Sequence, residues 1–263
     1  MINSKQKAII KKDIRSVVSN KNLLVGLIVV PLVLVVFLPV LFIMLLHFAP
    51  DQMDDMQQIL ELLPTNLISD DINHTMLLFL INYVMPTFFI LIPVMASTIM
   101  AASSFVGEKE KRTLETLLYC PLSLSQIYQS KVWASFFLSM AVSISSFVAM
   151  FIVVEICVFL TSGVLLVPGL NWLFVMLIVS PTASILAISL IVVGSAKAKT
   201  MEEAQQRAVF FIIPILLMIV GQFSGIMLIN EWFLLIAGAI FGTIAFIIMK
   251  KSMSNFTYEK LLR

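Results

Sequence analysis

Six long apolar runs, at 23–46, 75–106, 132–156, 171–194, 208–229 and 233–249, recur along this chain. A helix needs about 20 apolar residues to cross roughly 30 Å of hydrocarbon, and each run approaches or exceeds that length. The pattern predicts an all-α polytopic membrane protein of six transmembrane helices in one domain, 1–263. Composition agrees, with 60% hydrophobic residues, 12% charged residues and a mean hydropathy of +1.05. Soluble domains carry about 25% charged residues.

Orientation follows from the bases. Before the first run stand Lys5, Lys7, Lys11, Lys12, Arg15 and Lys21; between the second and third stand Lys109, Lys111, Arg112 and Lys131. Lys197, Lys199 and Arg207 lie between the fourth and fifth runs, and Lys250, Lys251, Lys260 and Arg263 follow the sixth. All 17 therefore fall on one side of the pattern, which predicts both termini in the cytoplasm. The 47–74 segment holds six acids and no Lys or Arg, as suits an outer loop. The opening stretch has no short apolar core with a small-residue cleavage site, so the chain is read as starting near Met1. Cys120 and Cys157 fall on opposite sides of this topology, so no disulfide between them is expected.

An ionisable residue at membrane depth is by default a functional hypothesis. The span interiors contain none: Glu155 stands 24 residues beyond Lys131, which places it near the outer interface. In-span polar residues such as Asn82, Ser97, Thr98, Thr182 and Gln222 are expected mostly to serve backbone carbonyls. His47 and His74 lack partners at metal-ligand spacing, and no metal site is expected. A coupling-ion site of the kind a secondary carrier uses is missing, and so is a GxxxxGK[ST] phosphate loop. The chain is thus expected to be no enzyme and to bind no cofactor or nucleic acid. Pro31, Pro39, Pro86, Pro93, Pro181 and Pro214 lie inside runs and predict kinks. Gly221 with Gly225 and Gly238 with Gly242 favour close packing of the last two spans on each other.

Two polar elements flank the spans on the basic side. Within 1–22, Ile9, Ile10, Ile14, Val17 and Val18 share one face while Lys7, Lys11, Lys12 and Arg15 share another, predicting a helix in the headgroup region. Ile10, Lys11, Ile14, Arg15 and Val18 represent it among the candidate functional residues. Taken alone, it anchors the chain to anionic lipid. Along 107–131, Glu108 with Arg112 and Lys111 with Glu115 are spaced to pair on a helix, and Leu114, Leu117 and Leu118 form an apolar stripe. Pro121 ends that helix, and Ser123 with Gln126 makes a capping box that starts the next. Thr200 with Glu203 makes another before the fifth span.

This stretch resembles the cytoplasmic segment of ABC-2 type ABC transporter permeases, through Glu108, Lys109, Glu110, Thr113, Leu114, Glu115, Leu117, Leu118, Pro121, Leu122, Ser123 and Lys131. Arg112 stands where members often have Gly. The resemblance implies a coupling helix docking on a separate ATPase, carried here by Glu108 through Ser125, with the N-terminal helix touching the same partner. It implies a permease subunit of an exporter, working as a homodimer or with a similar permease, with ATP and Mg²⁺ held by the partner. The uncharged spans suggest apolar or amphipathic cargo, namely a drug, lipid or peptide. A stand-alone carrier or channel, or a membrane scaffold without transport, remains the alternative.

Overall fold

The computed structural model describes residues 3–48, 72–111, 113, 120–162, 169–195, 198–223 and 231–254, and every regular element among them is helical. Helix α1 spans Ser4–Val18 and opens with a capping box between Asn3 and Gln6. Rod α2 runs from Lys21–Leu32 through a π-helical turn, Val33–Phe37, into Leu38–Phe48. Rod α3 comprises Ile72–Phe79, a π turn at Leu80–Val84, Met85–Phe89, Leu91–Ala101, a π turn at Ala102–Val106, and Gly107–Glu110. Helix α4 is continuous over Leu124–Ser162. Rod α5 joins Leu170–Phe174 to Ser180–Ser195 through a π turn at Val175–Val179; α6 is Met201–Phe223 and α7 is Glu231–Ser254.

Among the described residues, α2, α3, α4, α5 and α7 are the five long enough and apolar enough to cross a membrane. In α6 the apolar stretch is shorter, Ile212–Gln222, and the predicted span 208–229 runs beyond the described residues. Rod α3 is the hub. Of its most apolar stretch 83% is buried, against 61% for α5 and 24%, 28% and 17% for α2, α4 and α7. The outer helices therefore present apolar side chains such as Phe37, Ile152 and Phe246 outward, as lipid requires.

Three of the span prolines follow π turns for a common reason. Leu38, Met85 and Ser180, each just before a proline, donate their N–H five residues back to Val33, Leu80 and Val175. A proline ring offers no N–H and crowds the carbonyl four residues earlier, so a widened turn relieves it. The carbonyls released beside Pro86 are taken up by neighbours: Trp172 Nε1 donates to Ile81 O (2.9 Å), Asn171 Nδ2 to Asn82 O (2.9 Å) and Gln222 Nε2 to Tyr83 O (2.9 Å). This explains why polar groups from α5 and α6 converge on an apolar rod. Deeper in the bundle, Ser97 and Ser139 both donate to Pro93 O, at 2.6 and 2.9 Å, and Ser139 meets Ser184 at 2.9 Å. Those contacts tie α3, α4 and α5 together.

One packing expectation is corrected. A Cβ on Gly238 would lie 2.6 Å from Ile178 Cγ2, and one on Gly242 would lie 3.3 Å from Thr182 Cγ2. The small-residue face of α7 therefore serves α5, not α6. Gly225, the second member of the other pair, lies outside the described residues. Neither Cys120 nor Cys157 forms a disulfide among the described residues. Glu155 is half-buried in α4, and its Oε2 meets no hydrogen-bond partner among the described residues.

Candidate functional site

The buried charges gather where α3 ends. Glu108 sits in the last turn of α3 with only 8% of its surface exposed, between ammonium groups from two other helices. Lys131 of α4 approaches Glu108 Oε2 at 2.5 Å, and Lys12 of α1 pairs with Glu108 Oε1. Asp13, also buried, accepts from Ser104 Oγ at 2.5 Å and lies 3.9 Å from Lys131 and 3.6 Å from Lys12. Two carboxylates thus balance two ammonium groups, which lets Asp13, Glu108 and Lys131 sit away from water while Lys12 closes the cluster from its half-exposed side.

Lys131 is the centre of this junction. It is 1% exposed, donates to the Ser104 carbonyl, and stands 5.5 Å above the Phe105 ring. Its position follows from a polar stripe at four-residue spacing on α4, Lys131, Ser135, Ser139 and Ser143, all buried. That stripe turns towards α3 because lipid is a poor solvent for it. Asp13 is placed the same way: Gln6, Ile9, Asp13 and Val17 form the buried face of α1, which packs on α4. At the half-exposed Lys12, burial works against the charge, but the hydrogen bond and charge of Glu108, helped by Asp13, raise its pKa above the ordinary lysine value.

Further contacts make the end of α3 a crossing point. Glu110 Oε2 accepts from the Met201 N–H (3.1 Å) at the start of α6, where a carboxylate complements the helix dipole. A Cβ on Gly107 would lie 2.8 Å from Met201 Sδ, so a larger residue there would require the Met201 side chain to shift. Thr113 N–H donates back to Glu108 O at 2.9 Å, closing α3. Gln6 Nε2 reaches Gln126 O at 3.5 Å, and Ile9 packs on Ile127 and Leu122. A cavity of about 210 Å³ lies against the junction, lined in part by Lys12, Ser16, Ser103 and Lys111. Among the described residues no group of His, Cys, Asp or Glu is arranged to hold a metal.

Of the coupling residues expected from sequence, Glu108 faces inward, Lys109 and Ser125 are half-buried, and Glu110, Thr113, Pro121 and Ser123 are exposed. Arg112, Leu114, Glu115, Leu117 and Leu118 lie outside the described residues, as do both i, i+4 charge pairs they would complete. The Ser123–Gln126 box forms, with Ser123 N–H donating to Gln126 Oε1 (3.0 Å) and Gln126 N–H to Ser123 Oγ (3.3 Å). At the fifth span Glu203 N–H donates to Thr200 Oγ1 (3.2 Å), while the Glu203 carboxylate accepts from the Lys199 N–H (2.8 Å). On α1, Ile10 and Ile14 are half-buried while Lys11, Arg15 and Val18 are exposed. Sequence reasoning passes over Asp13 and takes Lys131 as a cytoplasmic base and as the last residue of the segment that carries the family resemblance, without a buried role. Their signals are a lone acid among six N-terminal bases and a Lys heading a stripe of serines.

Comparison with known proteins supplies a family. The family model described as ABC-2 family transporter protein matches residues 7–232. No curated protein and no solved structure matches the chain. The match takes in α1, the buried junction and the rods from α2 to α6, so the chain belongs to the ABC-2 transporter family and is a multi-pass membrane component of an ABC transporter.

Proposed function

We propose that this chain is the permease subunit of an ATP-driven exporter, with six spans and both termini in the cytoplasm. It pairs with a second copy or a similar permease and takes its energy from a separate ATPase that holds ATP and Mg²⁺. The observation that carries the reading is the junction of Lys12, Asp13, Glu108 and Lys131, which holds the start of the 107–125 segment. Force applied to that segment or to α1 passes directly into α3, the hub of the bundle, and into α4. A loose ionic contact at a wet surface would not transmit it, whereas a paired and desolvated one resists sliding.

In this reading Glu108 is a strut. The exposed Glu110, Thr113, Pro121 and Ser123, with the half-buried Lys109, offer the docking surface. Transport follows as a switch between inward- and outward-facing arrangements driven by the ATPase. Apolar or amphipathic cargo fits the uncharged interior.

Reconstitution tests this. Proteoliposomes holding the chain and its co-purified ATPase are expected to move solute uphill only with ATP. Uphill movement by the chain alone would sink the proposal. Simultaneous charge reversal of Glu108 and Glu115 is expected to impair coupling, and unchanged export with unchanged ATPase association would count against the assigned roles.

A further inference from the structure

The side of α1 turned away from the junction borders a groove of about 730 Å³, built from two ridges of the helix and one residue of α4. Lys7, Lys11 and Arg15 repeat every four residues along one ridge. Ile10, Ile14 and Val18 repeat likewise along the next, and Phe137 closes the far side. The contrast with Lys12 is informative. Lys12 is committed to Glu108 and Asp13, whereas the three groove bases have no carboxylate partner among the described residues. A concave surface with a free basic edge and an apolar wall complements a molecule that is anionic at one end and oily at the other.

We infer that this groove is a binding site for one anionic phospholipid. The headgroup phosphate lies along Lys7, Lys11 and Arg15, and an acyl chain lies over Ile10, Ile14, Val18 and Phe137. The site rests on the reading of α1 as an interfacial helix, and it needs no ATPase. A bound lipid wedges α1 against α4 at Phe137, on the flank opposite the strut. The basic edge selects the headgroup charge; the apolar wall demands the chain.

The test measures binding of fluorescent dioleoylphosphatidylglycerol to the purified full chain in neutral detergent, at low salt. A base near an anionic headgroup contributes about a fivefold change in affinity, from roughly 1 kcal/mol per charge. Lys11→Gln is therefore expected to weaken binding about fivefold, and Lys7, Lys11 and Arg15 all changed to Gln about 100-fold. Phe137→Ala weakens it through the chain. Lys5→Gln, on the same helix but outside the groove, leaves it unchanged. Phosphatidylcholine and the deacylated headgroup glycerophosphoglycerol are expected not to compete. The inference is overturned if Lys5→Gln weakens binding as much as Lys11→Gln, which would mean a diffuse field. Competition by glycerophosphoglycerol equal to that of the intact lipid, or by phosphatidylcholine, would overturn it too. Lys11 is exposed, so its single variant keeps the test valid if the triple variant misfolds. Because ATPase is absent from the assay, failure here leaves the exporter reading standing, and failure of ATP-driven transport leaves this site standing.

Discussion

Replacing Glu108 by Gln keeps the shape of the strut and removes its charge. Lys131 would then be a 1% exposed ammonium whose nearest carboxylate is Asp13, 3.9 Å away, in place of Glu108 at 2.5 Å. Breaking a buried ion pair from one side costs about 3–5 kcal/mol. Asp13 and the Ser104 carbonyl remain in place, so the lower end, about 3 kcal/mol, is expected. Lys131→Met should cost about the same, since it strips the Glu108 carboxylate of its buried partner. With both changes the losses should fall short of their sum by about 2 kcal/mol, because each removes the same interaction. Lys12→Met is the contrast: its side chain is 52% exposed, and solvent screening limits its effect to about 1 kcal/mol or less. Thermal unfolding followed by tryptophan fluorescence in detergent reads these values, at about 2–4 °C per kcal/mol for a chain of this size. Glu108→Gln should therefore melt about 6–12 °C below the parent. A melting point within about 2 °C of the parent, or strict additivity of Glu108→Gln and Lys131→Met, would refute the strut.

Gly238→Ala forces a methyl group to within 2.6 Å of Ile178 Cγ2, a branch held close to its own backbone, and should destabilise by about 1–3 kcal/mol. Gly242→Ala meets Thr182 at 3.3 Å and should cost less; equal effects in thermal unfolding would contradict the α5–α7 packing. Asn171→Leu leaves the Asn82 carbonyl beside Pro86 without its donor and should cost about 1 kcal/mol, read the same way; no loss would mean the π turn needs no outside partner. Lys12 has a raised pKa, so its contribution is complete below the ordinary lysine value of about 10.4 and is lost as pH climbs through the higher folded value. The stability difference between the parent and Lys12→Met should therefore be flat from about pH 6 to 9. A slope there would mean that another group titrates with it. Exposed Cys120 should react with a membrane-impermeant maleimide only after the cytoplasmic side is opened, and labelling of intact cells would reverse the proposed orientation.

Much of the architecture was written locally. Runs of about 20 apolar residues and the Ser123–Gln126 box are each decided within a few turns of helix, where hydrophobicity and backbone hydrogen bonding act without reference to the rest of the chain. The helix expected to open the 107–131 stretch forms at the end of the second span, as far as Glu110. The partners of the charges could not be read this way. Sequence spacing offers Glu108 the base four residues on, Arg112, whereas the fold gives it Lys12, 96 residues away, and Lys131, 23 residues away. Gly238 and Gly242 likewise mark a face made for close approach and leave open which helix uses it, and the bundle chose α5. A helical period states which residues share a face; the rotation and register of one helix against another decide what that face meets. The rotation here was set by moving Lys131, Asp13 and Glu108 out of lipid together, an energy that exists only once α1, α3 and α4 are assembled.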